Sequence, residues 1–201
     1  MARTRAILIW AMLTAAVGVP LVVAAQSPLL AWRQPVYIAA GLSGVAALAL
    51  LLVQPLLAGG YLPGLPPRRG RRVHRAVGVL LIGAVALHIA GLWITSPPDM
   101  IDAMTFAAPT AFSHLGVIAM WALSTAGLLA LLRPRLSARA WRAGHSTAVG
   151  IAVGASAGHA LLIDGTMGPL SKATLCLLAV AATGRVLIGL RVWRLVQRRT
   201  P

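Results

Sequence analysis

The sequence predicts an all-α integral membrane protein, a six-transmembrane-helix bundle in one domain spanning residues 1–201, and three observations predict it. Of 201 residues, 59% are hydrophobic and only 10% are charged, whereas a soluble domain carries about 25% charged residues to cover its surface. Six segments reach the roughly 20 apolar residues that cross about 30 Å of hydrocarbon as a helix. The 18 Lys and Arg outnumber the 3 Asp and Glu and fall almost entirely on one side of a six-span arrangement, as the positive-inside rule describes.

The first span runs from about Ala6 to Ala25, behind Arg3 and Arg5. Its basic start, apolar run and Val22-Val23-Ala24-Ala25-Gln26 end also match a signal peptide. An apolar stretch of about 20 residues exceeds the 7 to 15 of a signal core, which favours a retained span. The second span, Val36 to Leu57, leads into a Pro/Gly-rich loop from Gly59 to Gly70 that holds Arg68 and Arg69 and is followed by Arg71 and Arg72. The third, Val73 to Thr95, has Arg75 just inside it and stops before Ser96-Pro97-Pro98. The stretch after those prolines, with Asp99, Met100, Asp102 and Met104, is expected to form a short interfacial helix. The fourth span, Ala111 to Leu132, ends at Arg133, Arg135 and Arg139. The fifth, Trp141 to Ile163, includes Arg142; the sixth, Ala173 to Val196, carries Arg185 inside it and Arg191, Arg194, Arg198 and Arg199 at its end. No internal repeat, low-complexity tract or linker is evident.

Arg33, Lys172 and all three acids, Asp99, Asp102 and Asp164, lie on the side opposite the arginine clusters. Both termini are therefore expected in the cytoplasm, with the chain multi-pass in the inner (plasma) membrane. The net charge of +15 is topological information and meets anionic lipid, so nucleic acid is not an expected partner. Trp32 and Trp93 fit the outer aromatic belt, Trp141 and Trp193 the inner one. The single cysteine, Cys176, excludes an intramolecular disulfide and a cysteine-based zinc or iron–sulfur site. A metal must sit on histidine, methionine, carboxylate or a cofactor.

Four of the five histidines form two H-x13-H pairs: His74 and His88 on the third span, His145 and His159 on the fifth. Fourteen residues turn a helix through about 1400°, about 40° short of four turns, so each pair shares a face with its members about 21 Å apart. The two spans run in the same direction, so His74 stands level with His145 near the cytoplasm and His88 level with His159 near the outside. Facing imidazoles at one depth can ligate one iron from both sides. The competing reading is that each histidine hydrogen-bonds a neighbouring helix or lines a cavity; four polar groups at matching depths in hydrocarbon weigh against it. Between the ligands, Val77, Gly78, Leu81, Ala84 and Val85 on one helix and Ala148, Val149, Ala152 and Ser156 on the other leave room for a flat macrocycle. Gly150, Gly154 and Gly158 fall on the far face and read as helix-packing residues.

His74-Arg75-Ala76-Val77-Gly78 leading to His88, followed two spans later by His145 and His159, resembles the ferric-reductase-like transmembrane domain. That superfamily includes iron-chelate reductases, the membrane cores of NADPH oxidases and the heme subunit of the bacterial periplasmic methionine sulfoxide reductase system. The resemblance covers roughly Val36 to Val196. It implies b-type heme, two groups or one, with His74 paired to His145 and His88 to His159. It also implies transmembrane electron transfer to an acceptor on the outer face. No G-x-G-x-x-G after a strand and no phosphate loop occurs, so the expected donor is another polypeptide such as a flavoprotein, a bound flavin such as FMN, or a membrane quinol. The runner-up is a heme subunit docking to a periplasmic oxidoreductase. A heme-free transporter or proton pathway on the same histidines is the alternative from another class.

Beside the inner ligands, Arg75 and Arg142 could receive a heme propionate through charge-assisted hydrogen bonds, or serve topology alone. Arg185 needs a propionate, carbonyl or water partner unless it snorkels inward. His114 opens the fourth span at the outer interface, and Asp164 with Lys172 reads as an ordinary outer-loop pair. No nucleophilic or acid/base catalytic arrangement is discernible.

Overall fold

The computed structural model describes residues 2–189, so Arg191, Trp193, Arg194, Arg198 and Arg199, and the end of the expected sixth span, lie outside the described residues. Every element among the described residues is helical. In order they are α1 (Ala2–Ala25), α2 (Pro35–Ala58), α3 (Pro67–Thr95), α4 (Pro97–Met104), α5 (Ala111–Leu131), α6 (Ala138–Leu162) and α7 (Pro169–Gly189), with 3-10 turns at Pro28–Leu30 and Arg133–Arg135.

Proline sets several of the starts. Pro35, Pro67, Pro97 and Pro169 each open a helix, where the missing N–H has no carbonyl to reach and the fixed φ is already helical. This moves one boundary: α3 begins at Pro67, so Arg68, Arg69, Arg71 and Arg72 form its first turns instead of belonging to the loop before it. Arginine is a good helix former, and Gly70, the one weak former in these turns, is buried against α2, where a Cβ would sit 3.5 Å from the Leu57 carbonyl. The short helix α4 likewise takes Pro97 and Pro98 into its own first turn. At α6 the Ser137 side chain accepts from the Ala140 N–H, an N-cap that starts the helix at Ala138, three residues before the expected Trp141.

Five helices, α1, α2, α3, α5 and α7, are long and apolar enough to cross a membrane. The remaining expected span, α6, does not reach that apolarity: its 25 residues suffice in length, but Arg139, Arg142, His145, Ser146, Thr147, Ser156 and His159 dilute its apolar content. Of these, His145, Ser146, Ser156 and His159 are half-buried within the bundle, whereas Arg139, Arg142 and Thr147 are exposed. Large apolar side chains on the outside, such as Ile7, Trp121, Leu131 and Leu170, are 61%, 61%, 79% and 80% exposed, a surface that suits lipid and not water.

The helices pack as two hairpins, α2 on α3 and α5 on α6, with α7 lying against both α2 and α6 and α1 against α2 and α7. The core between α2, α6 and α7 is built from Val45, Leu48, Leu52, Val153, Leu175 and Ala179, and its alanines let the backbones approach closely. Gly158 faces Leu115 of α5 and Gly150 faces Leu187 of α7, as packing glycines do, whereas Gly154 meets nothing within 4 Å. Lys172, expected to pair with Asp164, donates to the Ile163 carbonyl at 2.7 Å.

Candidate functional site

The four paired histidines point into the space between the two hairpins, and each is tied down by a carbonyl of the neighbouring helix. In the first hairpin, Nδ1 of His88 lies 2.7 Å from the Ala40 carbonyl and Nδ1 of His74 lies 3.2 Å from that of Gln54, both on α2. In the second, Nδ1 of His159 lies 2.7 Å from the Phe112 carbonyl and Nδ1 of His145 lies 3.1 Å from that of Ala126, both on α5. A helical carbonyl already bonded to the N–H four residues on retains a second lone pair. An imidazole whose Nδ1–H is spent there has its tautomer set, with the lone pair on Nε2 free for a metal.

These contacts reveal a repeat that residue-by-residue pattern reading missed. Ala40, Gly44 and Gln54 on α2 stand where Phe112, Gly116 and Ala126 stand on α5, each trio spaced four and then ten residues apart. Glycine at the second place has a definite reason. A Cβ on Gly44 would sit 2.8 Å from His88 Nδ1, and one on Gly116 would sit 2.9 Å from His159 Nδ1. The residue four places after the acceptor normally shields its carbonyl, and glycine uncovers it for the ring. The repeated Gly-Val-x-Ala of 44–47 and 116–119 is the trace of this in the sequence.

The two levels are called distal (His88, His159) and proximal (His74, His145), by distance from the starts of α3 and α6. At the distal level the ring centroids are 6.5 Å apart with 77° between planes. The helices that carry them, α3 and α6, are not among the closely packed pairs, so a gap separates the ligand-bearing faces. Among the residues expected to line it, Leu81, Ala148 and Ala152 are buried and the others are half-buried. At the proximal level Trp141 stacks on His145, centroids 5.4 Å apart and planes at 15°. The Arg133 guanidinium lies 4.8 Å from the centre of the same indole. Trp141, expected in the lipid-facing belt, is thus turned onto the protein. Gln54 donates through Nε2 to the His74 carbonyl at 3.3 Å, and Gly78 leaves the space that its amide occupies. Sequence reasoning missed Gln54, Gly44, Gly116 and the role of Trp141; the four-residue spacing of Trp141 and His145 on one helix was the available signal.

Arg75 and Arg142 are exposed at the proximal end, together with Arg68, Arg69, Arg71, Arg72, Arg133, Arg135 and Arg139, while Asp99 and Asp102 are exposed beyond the distal end. The site therefore lies between a strongly positive end and a weakly acidic one. Arg185 is exposed on α7, and its Nη1 extends along the next turn towards Gly189, the posture of a snorkelling side chain. His114 belongs to neither pair: its ring packs on Phe106 with centroids 5.6 Å apart, and its buried Nε2 has no hydrogen-bond partner among the described residues.

Among the described residues no three His, Cys, Asp or Glu side chains come together to hold a bare metal ion. Two imidazoles are too few for a closed protein site of four ligands, but they complete a metal that brings its own equatorial nitrogens. The family model described as ferric reductase like transmembrane component matches residues 43–156, from Ser43 on α2 to Ser156 on α6, and the chain belongs to that family. Neither the curated proteins nor the solved structures compared with it contain a match.

Proposed function

We propose that this member of the ferric-reductase-like transmembrane family moves electrons across the inner (plasma) membrane through two b-type hemes, His74 and His145 holding one and His88 and His159 the other. Membership of the family implies transmembrane electron transfer in general. The observation that carries the finer reading is the distal pair. Its 6.5 Å centroid separation leaves room between the ring edges for two metal–nitrogen bonds of about 2 Å each. All four Nδ1 atoms are engaged by helix carbonyls, so every ring presents Nε2 as its metal-binding atom. When bound, heme supplies the one-electron iron couple.

The chain's own residues do the rest. The Ala40 and Phe112 carbonyls orient the distal rings, and Gln54 and Ala126 orient the proximal ones. Leu81, Ala148 and Ala152 exclude water between the levels. α6 crosses as the sixth span, with His145, Ser146, Ser156 and His159 half-buried in the bundle, and the positive-inside rule then supports both termini and the arginine-rich end in the cytoplasm. The proximal level then receives electrons from a flavoprotein, FMN or a membrane quinol, and the distal level delivers them outside. The exposed Asp99, Ile101, Asp102 and Phe106 around α4 also suit the docking of a periplasmic oxidoreductase as acceptor, the second reading.

A visible spectrum of the detergent-purified protein with a heme-to-protein ratio tests this. A reduced bis-histidine spectrum is expected, with His74→Ala or His145→Ala weakening one heme and His88→Ala or His159→Ala the other. Colourless protein that conducts protons in vesicles would establish the heme-free alternative.

A further inference from the structure

We propose that Trp141 is a positioning residue for the proximal heme: its indole face sets the rotation of His145, and its Nε1–H is held for an acidic oxygen of the bound group. The inference rests on the heme reading above. Three observations carry it. The Trp141 ring lies nearly parallel on His145, with 15° between planes, so the imidazole cannot turn about its axis without sliding against the indole. The other half of the clamp is Arg133, whose guanidinium sits 4.8 Å from the indole centre, an attraction of cation to ring face that holds Trp141 in place. Finally, Trp141 Nε1 is buried with no hydrogen-bond partner among the described residues. An indole N–H is a donor only, and burying it unpaired is costly. A tryptophan serving merely as a membrane-interface anchor would turn that N–H to the headgroups.

The repeat sharpens the point. Four residues before His74, where α6 has Trp141 before His145, α3 has the buried Gly70. Hairpin packing therefore does not demand an aromatic ring at this place, and only one of the two proximal ligands is clamped. A b-type heme carries two carboxylates, and one of them at the proximal level supplies the acceptor that the described residues lack. Arg75 and Arg142, the carboxylate partners suggested by the sequence, are both exposed, whereas the Trp141 donor is already desolvated.

The test compares Trp141→Phe, which keeps the flat face and loses the donor, with Trp141→Leu, which loses both. The lipid-exposed Trp121 (61% exposed) provides a control as Trp121→Phe. Redox titration and low-temperature electron paramagnetic resonance of the full chain resolve the two hemes. Loss of the donor leaves the carboxylate more negative near the iron, which stabilises the ferric form, so Trp141→Phe is expected to lower the proximal midpoint potential and leave its g-values and the distal heme unchanged. Trp141→Leu is expected to lower the potential and also shift the proximal g-values, which report the imidazole plane. Selective loss of the proximal heme from either variant supports the assignment too. Two hemes bound with unchanged potential and g-values in both variants overturns it, as does equal loss of both hemes. Absence of any heme from the wild-type protein would instead sink the heme reading itself.

Discussion

The distal and proximal levels solve the same problem differently. At the distal level the two halves are near copies: each ring sits 2.7 Å from a carbonyl with a glycine one turn beyond the acceptor. At the proximal level the bonds lengthen to 3.2 and 3.1 Å, and the residues one turn beyond are Ala58 and Ala130. There the halves also diverge, with Gln54 on one side and Trp141 on the other. Backbone carbonyls hold both distal rings at the same short distance, and the one side-chain difference is the Phe112 ring, which lies edge-on to His159 at 6.0 Å where α2 has Ala40. Side chains help to hold the proximal rings, which leaves that level open to adjustment by single substitutions.

The largest expected effect breaks the distal symmetry. Gly44→Ala or Gly116→Ala puts a methyl group against an imidazole nitrogen, at 2.8 or 2.9 Å, in a packed wall. Such overpacking costs about 1–3 kcal/mol, and the cheapest escape is for the ring to leave its carbonyl. Loss of the distal heme with the proximal one retained is expected, read from the heme-to-protein ratio and the redox titration. Retention of both hemes would mean that the glycines do not set the ring position.

Next is Gln54→Leu. It removes the 3.3 Å bond to the His74 carbonyl and with it a buried Oε1 that has no partner among the described residues. Losing a bond costs about 0.5–1.5 kcal/mol, and removing an unsatisfied buried group recovers a similar amount. Thermal stability is therefore expected to stay nearly constant while the proximal potential shifts. A shift of the distal potential instead would contradict the separation of the levels.

The smallest effect converts one level towards the other. Ala130→Gly, which imitates Gly116 one level away, should let His145 approach the Ala126 carbonyl. A shorter bond makes the imidazole a more basic ligand, which favours ferric iron, so a slight lowering of the proximal potential is expected. Helix stability falls by about 1 kcal/mol in compensation. An unaltered potential at that cost would detach bond length from the glycine.

Composition made the membrane class legible because a bilayer demands an apolar chain as a whole, and the H-x13-H spacing made the two levels legible because it is a period within single helices. α6 is the least apolar of the expected spans because a helix that lines a site carries the site's polar residues. Trp141 fits the inner aromatic belt by sequence because an aromatic residue near a span end has no local mark that says which way it faces. The repeat was hidden because its equivalent places are backbone carbonyls, which any residue supplies, and only Gly44 and Gly116 mark it.

Length, charge placement and helical period along the chain were sufficient to place helices in a bilayer and imidazoles at two depths. The tertiary structure decided which atoms satisfy those imidazoles. Ala40 and His88 are 48 residues apart and Phe112 and His159 are 47 apart, so no local pattern links them. Only the packing of α3 on α2 and of α6 on α5 brings each ring to its carbonyl, and only the gap left between the hairpins leaves the opposite edge of each ring free.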